Sequence, residues 1–193
     1  MKSEWEDFKL RVKNLSLELD KFEVKFLDRY GFKEFCDNLN DSVNGYGEIC
    51  VTGYFSETIR KEFDKILSYM RTTGSGKVRL MCQELDLTQK RDKKNFESLK
   101  KIAEAGAEIK VNNRLHARFL VAYTKANLQI LGGLLVIGSF DFNQECIGLE
   151  RYDAGIETRH PDLVKSAIEL FEQLWNEEQS ENLLKKYKVI PQA

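Results

Sequence analysis

Residues 3–30 contain neither glycine nor proline, and they space Trp5, Phe8, Val12, Leu15, Leu19, Phe22 and Phe26 by alternating steps of three and four. That spacing sets the apolar side chains in one stripe of a 3.6-residue period, so the pattern predicts a long N-terminal helix. The stripe needs a cover, which is either the chain's own core or a second copy of it. Gly31 fits the C-cap of this helix, and Phe32, Phe35, Cys36 and Leu39 predict a short second one.

Beyond the break at Asn44-Gly45-Tyr46-Gly47 the pattern alternates between periods of two and 3.6. Residues 48–55 predict a strand, and Ser56 is placed to cap a helix with Ile59, Phe63, Ile66, Leu67 and Met70 on one side. A strand over 77–82 follows, then a helix over 92–105 with Phe96, Leu99, Ile102 and Ala103 inward, and strands near 107–111, 115–123 and 134–139. After a loop and a further strand, Pro161 opens a helix with Leu163, Val164, Ile168, Phe171, Leu174 and Trp175 inward, and a polar helix runs to about Tyr187. This order predicts an α/β fold, a mixed sheet sandwiched by helices over residues 45–193, with residues 1–44 as an N-terminal helical extension.

Composition narrows the picture. At 193 residues and 42% hydrophobic content the chain can bury a full core. No apolar run reaches the length of a membrane span, and the Glu- and Lys-rich start lacks an apolar signal-peptide region, so a cytoplasmic protein without membrane contact is expected. Cys36, Cys50, Cys82 and Cys146 are widely spaced and lack nearby histidine pairs, which argues for buried free thiols over disulfides or zinc. Net charge is −1, but residues 58–125 hold 16 Lys+Arg against 8 Asp+Glu. A basic middle suits a polyanionic ligand, and equally suits solvated helix faces. "TGSGKV" at 73–78 lacks the glycine spacing and the strand-before-helix context of a phosphate-binding P-loop, so it is expected to be a turn.

The chemistry concentrates between Leu115 and Asn143. In a strand His116 and Arg118 share a face with Leu120 and Ala122, while Leu115, Ala117, Phe119 and Val121 point the other way. Gly138-Ser139 follows a second apolar strand, at a point where a backbone can approach a ligand closely. An imidazole, a guanidinium, a hydroxyl and a carboxamide or carboxylate near two strand ends suit a phosphate ester.

"LHARFLVAY" followed by "LLVIGSFDFN" resembles the signature of the phospholipase D superfamily, the HKD motif His-x-Lys with a following Asp, then Gly-Ser-x-Asn. His116, Gly138 and Ser139 match. Arg118 stands in place of Lys, Asp141 in place of Asn, and the expected Asp falls at Tyr123; the longer spacing between the two parts implies a lengthened hairpin loop around 124–133. The resemblance implies that His116 forms a phosphohistidine, that Arg118 and Ser139 bind phosphate, and that Asp153 or Glu150 orients the imidazole, with no cofactor or metal required. Since His160 has no motif around it, a single motif implies a homodimer that pairs two copies of His116 across a two-fold axis. The expectation is a phosphodiesterase, and within that class a nuclease acting on nucleic acid. The alternative is a binding or regulatory module that keeps the fold, has lost the reaction, and pairs Arg118 with Asp141.

Overall fold

A computed structural model describes residues 24–55, 57–74, 76–127, 129–142 and 153–187. Eight strands form one mixed sheet in the order β1-β7-β6-β5-β2-β3-β4-β8. They are β1 (Val24–Leu27), β2 (Glu48–Thr52), β3 (Lys77–Cys82), β4 (Glu108–Val111), β5 (Phe119–Ala126), β6 (Gln129–Gly138), β7 (Gly155–Thr158) and β8 (Glu181–Asn182). The helices are α1 (Arg29–Asp37), α2 (Leu39–Val43), α3 (Glu57–Thr73), α4 (Lys90–Glu104), α5 (Pro161–Asn176) and α6 (Leu183–Tyr187). Only β2-β3 and β3-β4 are parallel pairs, each joined through a helix, as a parallel crossover requires.

Strand alternation sorts the side chains into two cores. Leu120 and Ala122 of β5 join Ile49, Val51 and Leu80 beneath α1 to α4, while Phe119, Val121 and Tyr123 join Cys50, Met81 and Phe171 beneath α5. The parity expected from the sequence therefore holds through Leu115, which lies in the second core, although residues 115–118 are extended and β5 begins only at Phe119. The inward residues expected on α3, Ile59, Phe63, Ile66, Leu67 and Met70, are all buried. Burial pushes the thiols of Cys50 and Cys82 up to about 12. Neither is therefore expected to react with iodoacetamide at pH 8 in the native protein, and both should do so in guanidinium, as read by peptide mass spectrometry.

Several expectations are corrected. The long helix does not run to residue 30: Val24–Leu27 is an edge strand paired with β7, and residues 1–23 lie outside the described residues. Gly31 is not a C-cap but sits in the first turn of α1, whose N-cap Asp28 accepts hydrogen bonds from Tyr30 N and Gly31 N. The added length between the two motif parts is not loop. It extends β5 and β6 into a ten-residue arm with a bulge at Thr124/Lys125 and a turn through Asn127 at φ 49°. The strand expected over 134–139 accordingly starts at Gln129. On α5, Leu163 is not inward but 41% exposed. The polar helix expected after it is broken, because α5 stops at Asn176 and β8 intervenes before α6. "TGSGKV" joins the end of α3 to β3, the reverse of P-loop order, with Gly74 and Gly76 both at positive φ.

Candidate active site

A cavity of about 340 Å³ opens where β2 and β3 end and the chain enters β5. Carboxyl ends of strands are where open α/β sheets receive ligands, because successive connections leave there in different directions. Gly53, Tyr54, Gln83 and Glu84 come from the two strand ends, Gln89, Arg91 and Asp92 from the start of α4, Leu115 to Arg118 from the approach to β5, and Asp141 from the segment after β6.

That last segment is positioned by its own alternation. Phe140 and Phe142 are 3% and 2% exposed. Phe140 stacks on Phe32 with centroids 3.9 Å apart, and Phe142 stacks on Phe55 at 5.8 Å. These anchors hold Ser139 and Asp141 at the site. Gly138 pairs in register with Gly155, and a Cβ on Gly138 would meet Ala154 O at 2.5 Å and the Phe140 ring at 2.7 Å. The absent side chain at Gly138 thus lets two strands and a ring close together, rather than admitting a ligand as the sequence suggested. Gly53, which lines the cavity, is held at φ +151°, a conformation that favours glycine.

Arg118 and Asp141 meet. Arg118 Nε lies 3.0 Å from Asp141 Oδ1, which also accepts the Tyr54 N–H at 3.2 Å, and Arg118 Nη1 donates to Ser139 O at 3.2 Å. The carboxylate is buried and the guanidinium is partly exposed, so the cation lies between Asp141 and solvent. His116 is exposed at the cavity and makes no hydrogen bond to another described residue. Ser139 Oγ donates to Asp153 Oδ1 at 2.8 Å and accepts from Ala154 N. Asp153 Oδ2 is buried without a partner among the described residues. Glu150 lies outside them. Of the expected site residues, His116, Arg118 and Asp141 thus share one cavity, and Ser139 and Asp153 form a pair beside it.

Among the cavity residues that were not singled out from the sequence, Tyr54, Arg91 and Asp92 interact with one another. Tyr54 OH donates to Asp92 Oδ1 at 2.9 Å, Asp92 Oδ2 accepts from Asp86 N at 2.8 Å, and the Arg91 guanidinium lies 4.6 Å from the Tyr54 ring centroid. Burial, and then the hydrogen bond to Asp92, push the Tyr54 phenol above its ordinary range, so it stays a donor at any working pH. The signal available for them was position: Tyr54 follows β2, and Arg91 and Asp92 begin the helix after β3. The wall over residues 83–89 is tied down from the far end of the described chain. Tyr187 OH accepts from Leu85 N at 2.7 Å and donates to Leu85 O at 3.0 Å, while Lys186 pairs with Glu84 at 3.2 Å.

Tyr123, where the resemblance expected an aspartate, is fully buried on the face beneath α5. Its OH donates to Glu48 Oε2 at 2.8 Å and accepts from Arg79 Nη2 at 3.2 Å. Arg79 reaches Glu172 through both Nη atoms, at 3.1 and 2.6 Å, and its guanidinium lies over Phe171 and Trp175. The position thus serves a structural network rather than the cavity. Among the described residues, no group of three or more His, Cys, Asp or Glu side chains is arranged to hold a metal ion.

This fold and cavity define an α/β protein of phospholipase D type. A family model described as cardiolipin synthase, PLD-like domain, matches residues 47–175, and the chain belongs to that PLD-like family. Among solved structures, the phospholipase D family member Nuc from Salmonella typhimurium aligns with TM-score 0.58 and 14% identity, over 82% of this chain and 96% of that one. NucT from Helicobacter pylori aligns at 0.58 and 13%, over 83% and 99%. Polyphosphate kinase from Porphyromonas gingivalis aligns at 0.62 and 16%, over 80% of this chain but 26% of the kinase. At such identities the likeness is one of fold. No curated protein matches. Among the described residues no helix is long and apolar enough to cross a membrane.

Proposed function

We propose that the chain is a phosphodiesterase that works as a two-fold homodimer, with nucleic acid as its preferred substrate. The observation that supports this best is the exposed His116 beside Arg118 and Asp141 in a polar cavity of a PLD-like domain. In this reading a ring nitrogen of His116 attacks phosphorus, and the P–O bond to the leaving group breaks. The leaving oxygen takes its proton from His116 of the partner subunit. Water then attacks phosphorus, cleaves the P–N bond and returns a proton to that second imidazole. Asp153, whose Oδ2 has no described partner, is the carboxylate this reading assigns to the histidine, although its described contact is with Ser139 and not with His116.

One observation favours a second reading, that of a binding or regulatory module without turnover. Arg118 is closed onto Asp141, so the motif cation is already neutralised. Asp141→Asn decides between them. Asparagine keeps an oxygen for the Tyr54 N–H but no longer holds the guanidinium by charge. If the protein is an enzyme, kcat/KM for bis(p-nitrophenyl) phosphate in the presence of EDTA is expected to rise about tenfold, the worth of one charge-assisted contact. Absence of turnover in both proteins would leave the binding module, and a metal-dependent rate would remove the phosphohistidine route.

A further inference from the structure

The cavity contains three carboxylates, and each is already matched. Asp141 takes Arg118 and Tyr54 N, Asp92 takes Tyr54 OH on one oxygen and Asp86 N on the other, and Glu84 takes Lys186. Of the cavity's two arginines, Arg118 is committed to Asp141. Arg91 makes no ion pair among the described residues; its guanidinium lies over the Tyr54 ring and interacts with the Tyr54 hydroxyl. A guanidinium has five in-plane N–H donors, and stacking on a ring while meeting one hydroxyl leaves most of them free. Tyr54 is itself fixed at both ends, through its N–H to Asp141 and its OH to Asp92, so Arg91 stands on a rigid support.

We propose that Arg91 binds a second anionic group of the ligand, one phosphate removed from the group that His116 meets, and that the site prefers ligands with two phosphates over ligands with one. This rests on the reading of the cavity as a phosphodiester site. The second phosphate is either a neighbouring phosphodiester of a strand or a terminal phosphomonoester, and the chemistry Arg91 recognises is common to both.

The test is equilibrium binding by calorimetry, which does not depend on turnover, using the thymidine probes TpT, pTpT and TpTpT with the full chain. Wild-type protein is expected to bind at least one of the two-phosphate probes about tenfold more tightly than TpT, the gain of one charge-assisted guanidinium contact. Arg91→Gln should abolish that preference, bringing the two-phosphate probe down to the affinity the same variant has for TpT, and Arg91→Lys should restore part of it. Arg91 is exposed and on the first turn of α4, so the variants should fold; circular dichroism checks this. A gain for pTpT alone assigns the subsite to a terminal phosphate, and a gain for TpTpT assigns it to a strand. Equal binding of all three probes, a preference that survives Arg91→Gln, or no binding of any probe overturns the proposal. Arg91-dependent binding without cleavage would leave this subsite standing and remove the phosphodiesterase reading.

Discussion

His116→Ala is expected to reduce phosphodiester cleavage by at least about 10³-fold, since in the proposed covalent route it removes the nucleophile and not merely a contact. The loss should appear in kcat with little change in melting temperature: His116 is exposed and makes no hydrogen bond to a described residue, and surface substitutions of that kind usually fall within about 0.5 kcal/mol. The same variant tests the dimer. When wild-type protein is exchanged with an excess of His116→Ala, a site that needs two histidines loses activity as the square of the wild-type fraction. A site that needs one loses it linearly. A linear loss would keep the histidine and discard the symmetric pairing, and a fully active His116→Ala protein would sink the catalytic reading.

The second large effect is on stability. Arg79 is 7% exposed and holds Glu48, Glu172 and Tyr123 together. Arg79→Ala strands two carboxylates and a phenol. Breaking a fully buried pair costs about 3–5 kcal/mol, and the partial exposure of both glutamates lowers the expectation to about 2–3 kcal/mol in urea titrations. Arg79→Met combined with Glu48→Gln and Glu172→Gln should recover part of the loss, because no charge is then left uncompensated. The pH dependence follows the same contact. The hydrogen bond from Arg79 holds the Glu172 carboxyl below the ordinary glutamate range, so its stabilisation is present above that range and fades as pH falls through the lowered value. That acid slope should flatten in Arg79→Ala.

The site was legible in the sequence to the extent that it depends on periodicity. Alternation through Leu115 to Ala122 is a local property, and so is the alternation that buries Phe140 and Phe142 while leaving Ser139 and Asp141 beside the cavity. The Arg118–Asp141 pair was foreseeable because like-minded substitutions at two motif positions have complementary charge. What could not be read depends on partners distant in sequence. Val24–Leu27 continues an apolar spacing that suits a helix equally well, and only its pairing with β7 makes it a strand. Leu163 fits the apolar period of α5 yet stays exposed, since the period fixes a stripe but not how wide a stripe the sheet covers. Tyr54, Arg91 and Asp92 carry no motif, and their meeting is a product of two crossovers ending side by side.

The clasp of Tyr187 on Leu85 has a practical consequence. One wall of the cavity is fastened by a phenol in the last described turn, which belongs to a five-residue helix next to a two-residue edge strand. Short terminal elements open at small free-energy cost. A tag, a truncation or a proteolytic nick close to residue 187 would therefore alter ligand affinity without touching any residue that meets the ligand, and activity comparisons between preparations are meaningful only when their C-terminal sequences are the same.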